Sequence, residues 1–200
     1  MKKKTCCVVL VGDQKCGKTS LCKAYLEGSW QKSTLGTTEY LPTIDATYKT
    51  NVEVGQKQIQ MTIRDTSGQE AYDRLRPLSY TDCDVIAVCF DVGNPASLEN
   101  VRVKWHPETI YCCPHSSTVL VGCKADARGT KRPGAATIVR KNECQQMAKT
   151  IGASDYVECS VLDESSLSHI FETIARVAKR QHKTKRTGWW RAVKRKIFSK

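Results

Sequence analysis

Residues 12–19 read Gly12-Asp13-Gln14-Lys15-Cys16-Gly17-Lys18-Thr19 and fit the pattern GxxxxGK[ST]. Those residue types suit one task, the holding of a triphosphate. Backbone N–H groups at a helix N-terminus supply donors and partial positive charge. Lys18 would neutralise the β- and γ-phosphates, and the Thr19 hydroxyl, one residue on, would reach a Mg²⁺ bridging them. A second segment, Asp65-Thr66-Ser67-Gly68-Gln69-Glu70, puts a carboxylate at the end of an apolar run, where it suits a Mg²⁺ ligand acting through water.

Such groups need elements to position them. Apolar runs bounded by Gly, Pro and Asp at 6–11, 85–90 and 118–121, with a shorter one at 156–159, read as buried strands. Helical spacing occupies 18–26, 96–111 and 142–151, the last followed by Gly152 as a C-cap. Strand and helix alternate, so a parallel α/β sheet is expected, with the 12–19 loop between its first strand and first helix. Residues 51–54 and 57–63 instead alternate polar with apolar side chains across Gly55-Gln56, which predicts an antiparallel hairpin at the sheet edge. A final helix is expected from 165 to about 183 on Leu167, Ile170, Phe171, Ile174, Val177 and Ala178.

The chain has 200 residues, 40% of them hydrophobic, which is enough for a single core. Of the formal net charge of +12, residues 176–200 carry eleven units, with eleven Lys or Arg and no Asp or Glu. The remainder is therefore close to neutral, and a nucleic-acid-binding reading rests on the tail alone. Eleven cysteines could suggest a disulfide framework, but Met1-Lys2-Lys3-Lys4 leads into only a short apolar strand and not a signal peptide. Cys6, Cys7, Cys83 and Cys89 lie inside apolar runs, and Cys112-Cys113 have no second pair at zinc spacing. Buried or incidental thiols in a reducing compartment are the expectation. No apolar stretch approaches the ~20 residues that span a bilayer.

The Asp65–Gln69 segment resembles the DxxGQ element of Ras-superfamily GTPases, and from there the resemblance extends over roughly residues 5–180. Asp73-Arg74-Leu75-Arg76-Pro77-Leu78-Ser79-Tyr80, Ser97-Leu98-Glu99-Asn100 and Lys104-Trp105 are similar to the Rho branch. The resemblance implies a P-loop small G domain over 1–183, with a six-stranded mostly parallel sheet, one antiparallel edge strand and flanking helices, and a basic tail over 184–200. It implies GTP or GDP with Mg²⁺ as cofactors, held by residues 12–19 together with Ser20. Gly68 would sense the γ-phosphate and Gln69 would orient the attacking water. Thr43, after Pro42, would close over Mg²⁺ and the γ-phosphate, making Thr19, Thr43 and Asp65 the metal set. Trp30 lies where the family carries an aromatic beside guanine, although ordinary core packing explains it nearly as well. Cys123-Lys124-Ala125-Asp126 resembles the NKxD motif, whose Asp126 accepts from guanine N1–H and the amino group, a pattern adenine cannot satisfy. Ser160 and Val161, within Glu158-Cys159-Ser160-Val161, match the last nucleotide-contacting loop. Effectors would be engaged around Thr43, Asp45 and Tyr72, exchange factors and GTPase-activating proteins would act as regulators, and the chain would be a monomer. Signalling to the cytoskeleton, polarity or membrane traffic is the implied role.

Several positions depart from that pattern. Gln14 replaces a glycine that leaves room for the catalytic glutamine and an arginine finger, so hydrolysis should suffer and the GTP-bound state should dominate; a GTP-bound scaffold with negligible turnover is the alternative reading. Cys123 replaces an asparagine whose amide braces the phosphate loop, and a thiol is a weak hydrogen-bonding group, so binding should loosen. About six extra residues stand between Trp30 and Tyr40, Asp45 replaces an effector-contacting phenylalanine, and the Rho insert between 127 and 142 is short. The chain closes on Ile197-Phe198-Ser199-Lys200 without a prenylation cysteine, and Met1-Lys2 lacks a myristoylation glycine. What remains is 188–198, where Trp190, Val193 and Ile197 fall on one helical face among Arg and Lys. That pattern suits the headgroup region of an anionic membrane and a peripheral place on the cytosolic side of one, with a nuclear-import or partner-binding segment and a solvated disordered tail as the competing readings.

Overall fold

The computed structural model of the protein describes residues 4–28, 44–129 and 138–198, the last segment with side chains as far as 182. Its elements run β1 Lys4–Gly12, α1 Lys18–Glu27, β2 Asp45–Val54, β3 Lys57–Thr66, β4 Val85–Asp91, α2 Pro95–Asn100, α3 His106–Cys112, β5 Ser117–Cys123, α4 Lys141–Thr150, β6 Asp155–Glu158 and α5 Glu164–Phe198. Short 3₁₀ turns occupy Glu70–Tyr72, Arg76–Tyr80 and Ala125–Gly129.

The strands form one six-stranded sheet in the order β2-β3-β1-β4-β5-β6, parallel except for the β2–β3 hairpin at one edge. The fold is that of a small G domain. Period-2 alternation sorts each central strand between two layers. Val8, Leu10, Met61, Ile63, Ala87 and Val121 face α1 and α5, while Val9, Val11, Val88, Phe90 and Leu120 face the α2–α3 and α4 side. The expected stripe of α5, Leu167 through Ala178, is buried in the first layer. Gly55, at φ +64, turns the hairpin. After α4, Gly152 takes φ +61 and donates to Lys149 O while Ala153 donates to Ala148 O, the two bonds of a Schellman stop.

Two helices differ from expectation. The segment 96–111 is not one α-helix, because residues Val101–Trp105 widen into a π-helical turn between α2 and α3. Pro107 is the second residue of α3, and its missing N–H and its ring are incompatible with a regular bond to the carbonyl four residues back. The last helix does not stop near 183 but continues to Phe198, 35 residues and about 52 Å long. Residues 179–187 are mostly Lys, Arg and Gln, which favour helix, and Gly188 alone costs only about 1 kcal/mol. All eleven cysteines are free thiols, eight of them buried. Among the described residues no helix is long and apolar enough to cross a membrane.

Candidate functional site

The carboxyl ends of β1, β3, β4, β5 and β6 meet at one edge of the sheet. From β1 the chain passes first to β2 and β3 on one side and then, beyond β1, to β4, so the order reverses between β1 and β4; ligands of open α/β sheets bind at such a point. The loop 13–17 crosses it. Gly12 takes φ +144, and a Cβ there would lie 2.1 Å from the Cys89 carbonyl oxygen, so only glycine lets the chain leave β1 this way. The Lys18 ammonium is almost fully buried, donating to the carbonyls of Gly12 at 2.7 Å and Asp13 at 2.8 Å.

A crevice of about 220 Å³ opens above the loop, lined by Lys15, Gly17, Lys18, Thr19, Ser20, Thr66, Ser67, Gly68 and Lys124. It joins a second cavity of about 170 Å³ through the shared residues Gly17, Ser20 and Lys124; there Asp126, Val161, Leu162, Cys123 and Cys159 form the walls. The Ser160 hydroxyl donates to Asp126 Oδ1 at 2.6 Å and itself accepts from the Leu162 N–H. Lys124, held at φ +59, pairs with Asp91 Oδ2 at 2.7 Å. The Thr66 hydroxyl ties β3 to the Leu10 carbonyl at 2.7 Å. Gly68 approaches the loop so closely that a Cβ on it would meet Gly12 O at 2.4 Å, Gln14 N at 2.5 Å and Asp13 C at 2.6 Å. Gln69, whose N–H bonds to Ser67 Oγ, follows immediately, and Gln14 is exposed beside them.

Most of the expected site residues thus come together at one crevice. Asp45 begins β2 and accepts from Ser79 Oγ at 3.0 Å, and Tyr72 lies in the turn after Gln69; neither lines the crevice. Trp30 and Thr43 lie outside the described residues.

Asp65 is fully buried, and neither of its carboxylate oxygens accepts a hydrogen bond. Burial pushes its carboxyl above the usual range, against the opposing pull of the Thr19 hydroxyl and the Lys18 ammonium. An orphaned buried carboxylate close to the Thr19 hydroxyl, which itself lines the phosphate-sized crevice, fits a hard cation such as Mg²⁺, so Thr19 directly and Asp65 through water are the residues that would hold one. Because the folded pKa is raised, the carboxyl destabilises the metal-free fold once pH exceeds that value and ceases to do so below the unfolded pKa. Asp65→Asn should therefore stabilise the metal- and nucleotide-free protein at pH 7 by about 1–3 kcal/mol, a Tm rise of several degrees, while removing the Mg²⁺ dependence of nucleotide binding. A fall in Tm in EDTA would contradict this account.

The sequence did not signal what braces the loop from the far side. Asp13 Oδ1 accepts from the Trp105 indole at 2.7 Å and Oδ2 from Asn100 Nδ2 at 2.8 Å. The π-helical turn brings those two donors to one carboxylate. Trp105 is buried, with the Arg76 guanidinium 4.6 Å above its ring. Arg76 in turn donates to Ser67 O at 2.9 Å and to both oxygens of Glu108 at 2.8 and 2.9 Å, which also takes the Tyr80 hydroxyl. One connected network therefore runs from the phosphate loop through α3 to the segment after Asp65. The only sequence signal was resemblance at 73–80, 97–100 and 104–105.

Residues 7–180 match the Ras family, and the chain belongs to it, as a Rho-type small GTPase. Among its relatives, the GTP-binding protein RHO1 of Candida albicans is 40% identical over 179 residues, covering 86% of this chain and 87% of that protein.

Proposed function

We propose that the protein is a GTP-dependent switch, a G domain over residues 1–183 with a basic segment over 184–200, that stands mostly in its GTP-bound form. The observation that carries this reading is the two-armed crevice, which joins the Lys18 loop and Gly68 at one end to Asp126 at the other. Backbone N–H groups of 13–19 and Lys18 would hold the phosphates, Ser20, Lys124, Ser160 and Val161 would line the rest of the nucleotide, and Asp126 would read guanine. Mg²⁺, when bound, would neutralise charge between the β- and γ-phosphates. Gly68 would donate its N–H to the γ-phosphate, and Gln69 would orient a water for attack. Thr43 and Trp30 would complete the site from the preceding segment.

Two residues bias the cycle. Gln14 brings a side chain to the place where Gly68 already touches the loop, which slows hydrolysis. Cys123, which lies against Gly17, offers a weak donor where an amide would brace the loop, and losing one or two buried hydrogen bonds loosens nucleotide by about 1–3 kcal/mol. Effectors and regulators would meet the exposed Ile44, Leu75 and Leu78 beside Asp45 and Tyr72. The basic segment would rest on an anionic, cytosolic membrane face, with about 1 kcal/mol from each cation near the surface. Cytoskeletal, polarity or traffic signalling is the role this supports, with a GTP-bound scaffold as the second reading, favoured by the closeness of Gln14 to Gly68.

The test is nucleotide content and single-turnover GTP hydrolysis of Mg²⁺-loaded full-length protein, with sedimentation on phosphatidylserine vesicles in parallel. Bound GTP that persists, and vesicle binding lost without residues 187–200, is the expected result. Rapid unaided conversion to GDP would remove the bias, and absence of guanine nucleotide binding would remove the reading altogether.

A further inference from the structure

Two thiols stand side by side in the wall of the second cavity, with a third nearby. Cys123 ends β5, Cys159 follows β6 directly and Cys89 lies two residues before the end of β4, and all three face the α1–α5 layer. The β5–β6 register pairs Gly122 with Glu158, and Cys159 N–H continues the ladder by donating to Gly122 O at 2.8 Å. Cys123 and Cys159 are thus direct cross-strand neighbours on one face. Their α-carbons are separated by about one strand spacing, roughly 5 Å, within the range a disulfide spans. Cys89 pairs in register with Val121, not Cys123, and so stands only diagonally.

The surroundings favour chemistry at Cys123. The thiols of Cys159 and Cys89 are within hydrogen-bonding reach of its sulfur and hold it well below the usual thiol range, with help from the Lys18 charge and against burial. Cys159 and Cys123 both line the cavity whose walls include Asp126 and Leu162, so small solutes that enter it meet this pair. The same side chain lies against the phosphate loop: a Cβ at Gly17 would lie 3.1 Å from Cys123 Cβ and 3.6 Å from its Sγ.

We propose that Cys123 and Cys159 form a peroxide-sensitive thiol pair that closes the nucleotide site when it is empty, a proposal that rests on guanine being the occupant of that cavity. The Cys123 thiolate attacks one oxygen of hydrogen peroxide, the O–O bond breaks, and the departing hydroxide takes a proton to leave as water. The resulting sulfenic acid is displaced by the Cys159 sulfur, whose proton leaves with the second hydroxide as water. Two thiols lose two electrons, and one peroxide becomes two waters. The new bond draws Cys123 Sγ toward β6, away from Gly17, and narrows the cavity. Bound nucleotide covers the pair and prevents the reaction, so oxidation acts on protein that has released its nucleotide and keeps it from reloading.

The experiment uses full-length protein stripped with EDTA, or loaded with GDP and Mg²⁺, then treated with hydrogen peroxide, alkylated and mapped by mass spectrometry. The expected product is a Cys123–Cys159 linked peptide in the stripped sample, absent after GDP loading and in Cys159→Ala. Stripped protein should lose GDP binding about tenfold or more on oxidation and regain it with dithiothreitol. The Cys89→Ala variant should still form the link. A link from Cys123 to Cys89 or Cys16 instead, or no link at all, overturns the proposal. Formation of the expected link in a protein whose reduced form does not bind GDP would leave the thiol pair standing and overturn the guanine reading.

Discussion

Replacing Gln14 with glycine is expected to raise the GTP hydrolysis elicited by a Rho-type GTPase-activating protein by about 10³–10⁵-fold, the full contribution of an arginine finger. The argument is steric. Gly68 already sits so near the loop that a single added carbon would come within 2.4–2.6 Å of the backbone at Gly12, Asp13 and Gln14. Gln69 follows Gly68, and Gln14 is exposed at the same contact, so its side chain would stand in the approach that Gln69 and an incoming guanidinium would need. Glycine at 14 clears that approach without touching Lys18, Thr19 or Asp65. Nucleotide affinity should change little, so the effect should fall on the rate. Single-turnover hydrolysis of loaded wild type and variant, with and without the activating protein, reads it directly. A wild type already stimulated as strongly as the variant would show that Gln14 swings clear, and the bias toward GTP would lose its physical basis.

Much of the crevice was legible because its parts are short and local. The GxxxxGK[ST] loop needs nothing beyond its own backbone and the strand and helix that flank it. Asp65 stands at the end of β3 and Asp126 three residues beyond β5, both strands that the residue pattern marks. The hairpin edge followed from alternation alone, and the stripe from Leu167 to Ala178 placed α5. What the sequence did not disclose depends on long-range side-chain geometry. Nothing in the spacing of Asp13, Asn100 and Trp105 says that one carboxylate accepts from both donors, because the π-helical turn that aligns them depends on how Pro107 displaces the preceding bonds. Arg76, in a segment that only the family resemblance singled out, is 3% exposed because Glu108, Ser67 O and the face of Trp105 converge on it. The run of α5 past 183 was missed for a different reason: the apolar stripe breaks after Ala178 through the polar residues 179–187, while helix propensity does not.

Asp126→Asn is expected to lower GDP and GTP affinity by about 10²–10⁴-fold while improving binding of xanthine nucleotides. Asp126 is open to solvent at the mouth of its cavity, but Ser160 Oγ donates to its Oδ1 and is itself fixed by the Leu162 N–H, so the carboxylate is held in place before any base arrives. Guanine offers two adjacent donors, N1–H and the exocyclic amino group, and an ionised carboxylate accepts both. Hydrogen bonds to a charged acceptor contribute about 1.5–3 kcal/mol each, and the two together account for the stated loss. An asparagine keeps an oxygen for Ser160, so the loop should stay folded. It then turns an amide N–H₂ toward the guanine amino group, two donors facing each other, whereas xanthine presents a carbonyl there. Competition between fluorescent GDP and xanthosine diphosphate on wild type and variant measures the exchange of preference. If GDP affinity is unchanged in Asp126→Asn, the second cavity does not read guanine, and the specificity of the switch must come from elsewhere in the crevice.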